Sequence, residues 1–307
     1  MPIRIVLLAS FVALAGAFAV PADDKDKAVE KVTDGRLSDT QMVLLKTFRK
    51  EFVEITPGKG TFPKSFQMGS AKGAKNEQPV REVTLQHRFQ FAKYEVPQNL
   101  YEAVMGNNPS RWKGPRNSVE EFNFDQAIEF CSKATVMMQT ARLISTDEEV
   151  RLPSEAEWEY CCRAGTKTAY SFGDQAQSQA QIDDGEPKKA ALLDSYGWHT
   201  GNAAGNDPPV GALKPNAWGL YDMHGYLWEF VADDWHGDYK GAPADGSVRR
   251  RGDKNVRCTI RSGSWREAFP QLTSTARRAV AKDFHRDDLG LRCVLAKKAK
   301  KKPNSKK

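Results

Sequence analysis

Two acids around a glycine turn, Asp222 and Glu229 on either side of Gly225, are the first residues whose types and spacing could do chemistry. Carboxylates in that arrangement suit a hard, oxygen-loving cation such as calcium. The competing reading is that Asp222 caps a turn and Glu229 pairs with an arginine. Asp233-Asp234-Trp235-His236 also invites a metal or acid–base role. Adjacent residues on extended chain point to opposite sides, so a structural role outweighs catalysis there. Glu267, Arg277 and His285 are polar candidates for a hydrolytic or other enzymatic site, tied together only by their place in the C-terminal segment. His87, His199, His224, His236 and His285 are scattered, and a lone histidine is more often a satisfied structural residue than a ligand. Five cysteines permit two disulfides and leave one odd thiol.

These residues need elements to position them. Phe66 to Ser70 and Val80 to Leu85 read as short strands separated by a polar loop. Phe124, Ala127, Ile128, Cys131 and Ala134 recur at helical spacing, so a helix is expected over Phe124 to Met138 with Asn123 as N-cap. A second helix begins at Ser154, where Ser154-Glu155-Ala156-Glu157 is a capping box and Trp158, Cys161 and Cys162 face inward. Beyond Gly165 the chain is rich in Gly, Asn, Pro, Asp and Trp, the composition of short strands joined by ordered loops. The class is α+β with much irregular structure. Loops of such length need pinning by ions, disulfides or buried aromatics.

The flanks set the compartment and the charge. Met1 to Arg4 is a short basic start, Ile5 to Gly16 is apolar, and Ala17-Phe18-Ala19 offers small residues for cleavage. That order is a secretory signal peptide over 1–19, too short to span a membrane, so the protein is expected to be exported to the periplasm or the exterior. Residues 20–61 read as a linker with a short helix carrying Leu37, Met42, Leu45 and Phe48, ended by the Pro57-Gly58-Lys59-Gly60 turn. The net charge of +7 is carried by the lysines of a disordered tail over 297–307, which leaves the rest of the chain neutral. A nucleic-acid surface on the folded body is therefore not indicated, and no further stretch is apolar enough to be transmembrane. No heptad or exposed apolar stripe points to an oligomeric state.

Several segments recur in a diagnostic order. They include Phe66-Gln67-Met68-Gly69-Ser70, Lys93-Tyr94-Glu95-Val96, Asn108-Pro109-Ser110-Arg111-Trp112, and the run from Arg151 to Tyr160. The run from Pro215 to Met223, Gly225 to Glu229, Arg261-Ser262-Gly263-Ser264-Trp265 and Leu289-Gly290-Leu291-Arg292 complete the set. Over residues 62–296 the chain resembles the sulfatase-modifying-factor family, whose type member is the formylglycine-generating enzyme. The resemblance implies a loop-rich fold related to the C-type lectin fold.

It also implies a chemistry that the residues do not support. Catalytic members hold Cu(I) with two cysteines shortly after a Gly-Gly-Ser-aromatic motif and oxidise a substrate cysteine to formylglycine; soft thiolates are what Cu(I) selects. Here no cysteine lies between Cys258 and Cys293, and the two copper positions fall near Glu267 and Leu272. Copper is not expected. The iron-dependent sulfoxide-synthase branch needs a His-rich helix from an accompanying domain, and none precedes residue 62. The resemblance does imply a calcium site using a side-chain oxygen of Asp222, the carbonyls of Gly225 and Leu227, and the Glu229 carboxylate. Tyr226 replaces the usual asparagine, and a second family calcium site in the shortened loop between Asn202 and Val210 is not carried over. It further implies a Cys162–Cys293 disulfide, worth about 4–5 kcal/mol for a loop of roughly 130 residues. The expected function is a calcium-stabilised, non-catalytic module binding a peptide, glycan or protein in the family groove, with Trp265, Glu267, Arg277 and His285 as groove candidates. The alternatives are a cysteine oxidase with an unfamiliar copper site that includes Cys258, and another enzyme reusing the groove.

Overall fold

The computed structural model describes residues 36–185, 189–252 and 256–298. The signal-peptide reading of 1–19 and the tail beyond 298 lie outside them.

Helix α1 (Asp39–Lys50) opens the described chain behind a capping box of Ser38 and Gln41. Strand β1 (Phe52–Ile55) follows it directly and pairs antiparallel with β4 (Phe89–Ala92). This corrects the linker reading for residues 37–61, while 20–35 lie outside the described residues. Leu45 and Phe48 are buried in the main core, so the amphipathic face that suggested a short helix is one wall of the domain.

Among the described residues three sheets carry the fold. One has the order β1-β4-β10-β5, with β5 at Glu148–Arg151 and β10 at Val294–Lys297. A two-stranded ribbon joins β2 (Ser65–Met68) to β3 (Arg81–Thr84), where the sequence alternation places strands. The third has the order β8-β7-β6-β9. Its strands are β6 (Trp228–Asp234), β7 (Cys258–Arg261), β8 (Arg277–Val280) and β9 (Leu289–Leu291). Only two residues, Arg292 and Cys293, separate β9 from β10, so the chain there steps from one sheet to the next.

Helix α2 (Gln98–Met105) ends on Gly106 at φ 83°, a left-handed position that glycine adopts without steric cost. Helix α3 (Phe124–Thr140) has the Asn123 N-cap, with Gln126 completing a capping box, and packs on β5. Helix α4 (Glu155–Arg163) starts at the Ser154–Glu157 capping box and is buried along its whole length. Burying so polar a helix requires ionic partners. Arg261 donates to Glu155 at 3.0 Å and to Glu159 at 2.9 Å, Arg277 donates to Glu155, and Arg163 donates to Glu159. This network ties α4 to β7 and β8. Asp233 and Asp234 take backbone N–H groups of Glu155, Arg249 and Arg251, the structural role expected for that acidic pair.

Between α4 and β6 the only α-helix among the described residues is α5 (Gln179–Asp183). Stacked Tyr170, Phe172 and Tyr196 pin this long stretch. The buried Asn216 side chain donates to the carbonyls of Cys161 and Cys162 and accepts from the amides of Trp218 and Leu220. The result is an α+β, loop-rich fold whose loops are held by buried polar and aromatic contacts.

Candidate functional site

The turn from Asp222 to Glu229 lies at the start of β6, beneath the sheet switch at Arg292. Glu229 is fully buried and both its oxygens are taken. Arg292 reaches Oε1 at 2.8 Å and Oε2 at 3.1 Å, and Trp158 Nε1 donates to Oε2 at 2.7 Å. The arginine alternative for Glu229 is therefore the observed one. Asp222 sits at φ 57°, accepts the Gly211 amide on Oδ2 at 2.7 Å, and leaves Oδ1 buried without a partner. Sequence reasoning missed Glu95, which accepts the Leu227 amide and sits near both Asp222 and Glu229. Burial raises the Asp222 carboxyl to about 6 and, with Glu229 beside it, raises Glu95 well above its usual range. Three buried carboxyl groups thus face one guanidinium, and a divalent cation beside them would favour their ionised forms. Asp222 fits that cation; Glu229, held by Arg292 and Trp158, fits it less well than expected. Among the described residues no three His, Cys, Asp or Glu side chains converge on a metal position, so backbone carbonyls would have to complete such a site.

The residues expected at the two copper positions have other partners. Glu267 accepts from Trp228 Nε1 at 3.2 Å and pairs with Arg278 at 2.9 Å. Leu272 is fully buried over Gly263, where an added Cβ would lie 2.1 Å from its Cδ2. The cysteines offer no substitute, because all five are free and buried. Burial pushes the Cys162 and Cys258 thiols up to about 12 and those of Cys161 and Cys293 well above their ordinary value. None of the five lines a pocket open to oxygen or to a substrate cysteine. The residues present do not fit copper.

The Cys162–Cys293 disulfide is not formed, which corrects that expectation. Cys162 belongs to a core cluster with Trp218 and Met223 and donates to the Met223 carbonyl. Cys293 belongs to the other main cluster and lies against Cys131 of α3.

The four groove candidates are also dispersed. Arg277 is buried on Glu155, Glu267 is paired with Arg278, and the exposed His285 meets Glu121 at 3.0 Å. Nothing joins them into a reactive constellation. Trp265 alone lines the pocket described next.

That pocket, of about 600 Å³, is walled by Trp112, Trp198, Trp265 and Tyr226 and bordered by Glu120, Asp207, Asp287 and Arg266. Tyr226 projects into it from φ 76°, with its hydroxyl donating to the Pro208 carbonyl and accepting the Ser118 amide. Arg266 stacks on Trp265 with 4.3 Å from its guanidinium carbon to the ring centroid, and both Arg266 and Arg111 pair with Asp287. Glu120 accepts the Arg111 and Trp112 amides on Oε1 at 2.7 and 3.1 Å. Burial outweighs those two donors and pushes its carboxyl up to about 7. Trp112 lies in one of the family motifs, yet Trp112, Glu120, Trp198 and Asp287 were not legible as one site, since they converge from three distant segments.

Residues 49–297 match the family model described as the sulfatase-modifying factor enzyme 1-like domain. The chain belongs to that family. The match begins before residue 62, in keeping with the place of α1 and β1 in the domain. Among curated relatives, the chaperone protein LppX of Paenibacillus barcinonensis is 29% identical, over 55% of this chain and 69% of the relative. The inactive C-alpha-formylglycine-generating enzyme 2 of Bos taurus is 30% identical over 47% of this chain and 42% of its own length. The chain spans half or less of the formylglycine-generating enzymes it matches. Among solved structures, PvdO from Pseudomonas aeruginosa superposes with a TM-score of 0.63 at 26% identity, covering 75% of this chain and 90% of PvdO. The sulfatase-modifying factor framework is thus present over residues 49–297.

Proposed function

We propose that this member of the sulfatase-modifying factor family is an exported, calcium-stabilised binding module for a peptide, glycan or protein ligand, without cysteine-oxidase chemistry. One observation carries the reading. The copper positions are spent on structure, Glu267 on Trp228 and Arg278 and Leu272 on the core, while the neighbouring aromatic pocket keeps its opening. Relatives named as a chaperone and as an inactive enzyme support a non-catalytic role.

Calcium would be held through the free oxygen of Asp222 with the carbonyls of Gly225 and Leu227, as a hard cation prefers. When bound, it supplies positive charge beside Glu95, Asp222 and Glu229. Glu229 serves by fixing Arg292, whose remaining N–H groups hold the carbonyls of Ala92, Lys93 and Tyr221 and so fix the loop that carries Asp222.

The decisive test incubates the folded chain with Cu(I), oxygen, a reductant and a cysteine-containing sulfatase-type peptide, with an active family enzyme as control. Mass spectrometry should find the thiol unchanged; conversion to the aldehyde would refute the reading. For calcium, chelation should lower the melting temperature of the wild type and leave Asp222→Asn unaffected. A wild type indifferent to chelation would remove calcium from the account.

A further inference from the structure

Besides the Ser118 hydroxyl, the aromatic pocket holds two buried polar atoms of opposite sense with no hydrogen-bond partner in the protein. Glu120 is 3% exposed, and its Oε2 accepts nothing although Oε1 is doubly engaged. Trp198 Nε1 carries an N–H that no acceptor meets. Both residues line the same cavity. Buried polar groups are ordinarily satisfied, so an unpaired acceptor and an unpaired donor sharing one pocket ask for a ligand that brings both complements.

Charge narrows the choice. The lining holds three carboxylates, Glu120, Asp207 and Asp287, against the single guanidinium of Arg266. Arg266 is already committed to Asp287 and to the face of Trp265, and Arg111, which stacks on Trp112, shares Asp287 with it. Asp207 is occupied by the Asn117 side chain. Glu120 therefore remains as an acid with no cation. Aromatic walls favour a cation that carries an apolar stem, through the attraction of ring faces for positive charge. A neutral sugar would satisfy the stacking surface but leave the negative charge unanswered.

We infer that this pocket, within the binding role proposed above, receives a guanidinium or alkylammonium head on an apolar stem, paired with Glu120, and a carbonyl acceptor on the same ligand that meets Trp198 Nε1. A basic residue inside a peptide brings both features; a free amine brings only the first.

Calorimetric titration of the full chain with three probes tests this. N-acetyl-arginine amide should bind saturably, and its neutral isostere N-acetyl-citrulline amide about tenfold or more weakly, the usual cost of losing a charge-assisted hydrogen bond. Agmatine, which lacks the carbonyl, should fall between them; agmatine binding as tightly as the arginine amide would overturn the carbonyl half of the assignment. Glu120→Gln keeps the side-chain shape and should lose about tenfold for the arginine probe. Trp198→Phe should weaken the arginine amide while leaving agmatine unchanged, a split that misfolding would not produce. Equal binding of arginine and citrulline probes, or an unchanged Glu120→Gln, overturns the inference. If all three probes fail while a glycan or an uncharged peptide binds, the cation assignment falls and the binding role stands. If the thiol-to-aldehyde assay succeeds, the binding role itself falls.

Discussion

Replacing Glu120 with glutamine should stabilise the protein, and increasingly so as pH rises. Burial holds this carboxyl at about 7 against an ordinary value of 4.5, with Glu121 and Asp287 adding repulsion and the Arg111 and Trp112 amides pulling the other way. An acid whose folded value is raised binds more protons folded than unfolded, so its contribution to stability falls as pH climbs from about 4.5 to about 7 and is flat above that. The full displacement corresponds to at most about 3 kcal/mol. Glu120 faces an open pocket where water screens part of that cost, so about 1–2 kcal/mol is expected. Glutamine keeps the oxygen that accepts the two amides and has no charge to bury. Urea unfolding of wild type and Glu120→Gln at pH 5 and pH 8.5 isolates the effect, because every other titration is common to both chains. The variant's advantage should grow by about 1–2 kcal/mol between the two pH values. A difference that does not change with pH would show that Glu120 is an ordinary solvated acid, and the argument from its burial would fail.

Arg292→Met should cost about 3–5 kcal/mol in urea unfolding, because it strands the buried Glu229 carboxylate; a loss below about 1 kcal/mol would mean the pair does not hold the sheet switch. Ser262→Ala should destabilise more than Ser262→Gly, since both lose the hydroxyl bond to the Gly225 amide but only glycine relieves the φ of 91°. A difference of about 1 kcal/mol by thermal melting is expected, and the reverse order would refute it. Non-reducing peptide mapping should recover Cys162 unlinked to Cys293, and any bridge to Cys293 should come from Cys131, which lies against it; a Cys162–Cys293 fragment would overturn the packing described.

What could be read from the sequence was what the chain decides locally. The starts of α3 and α4 follow from Asn123 and Ser154 with their capping partners three residues on, and the β2–β3 ribbon follows from alternation. Helix α2 carried a signal that was not used, Pro97 before its first turn and Gly106 after its last. The wrong disulfide has a different cause. It was implied by the family resemblance, and matching motifs do not say how two cysteines pack; here Cys162 and Cys293 sit in separate core clusters. The pocket was illegible for the same reason. Trp112, Glu120, Trp198, Trp265 and Asp287 are brought together only by the way the long loops pack.

Of the six non-glycine residues at positive φ among the described residues, three lie where those loops meet. Asp222, Tyr226 and Ser262 all sit at positive φ without being glycine, at 57°, 76° and 91°. Each such residue costs on the order of 1–3 kcal/mol, so it persists only where its surroundings overdetermine it. Here they do: Asp222 is held by the Gly211 amide, Tyr226 by Pro208 and Ser118, and Ser262 by the Gly225 backbone. An asparagine or glycine would take these conformations at less cost. Tyrosine at 226 keeps the strained turn and adds an aromatic wall that neither smaller residue could supply. Strain is therefore held in the same turn whose Tyr226 ring lines the pocket.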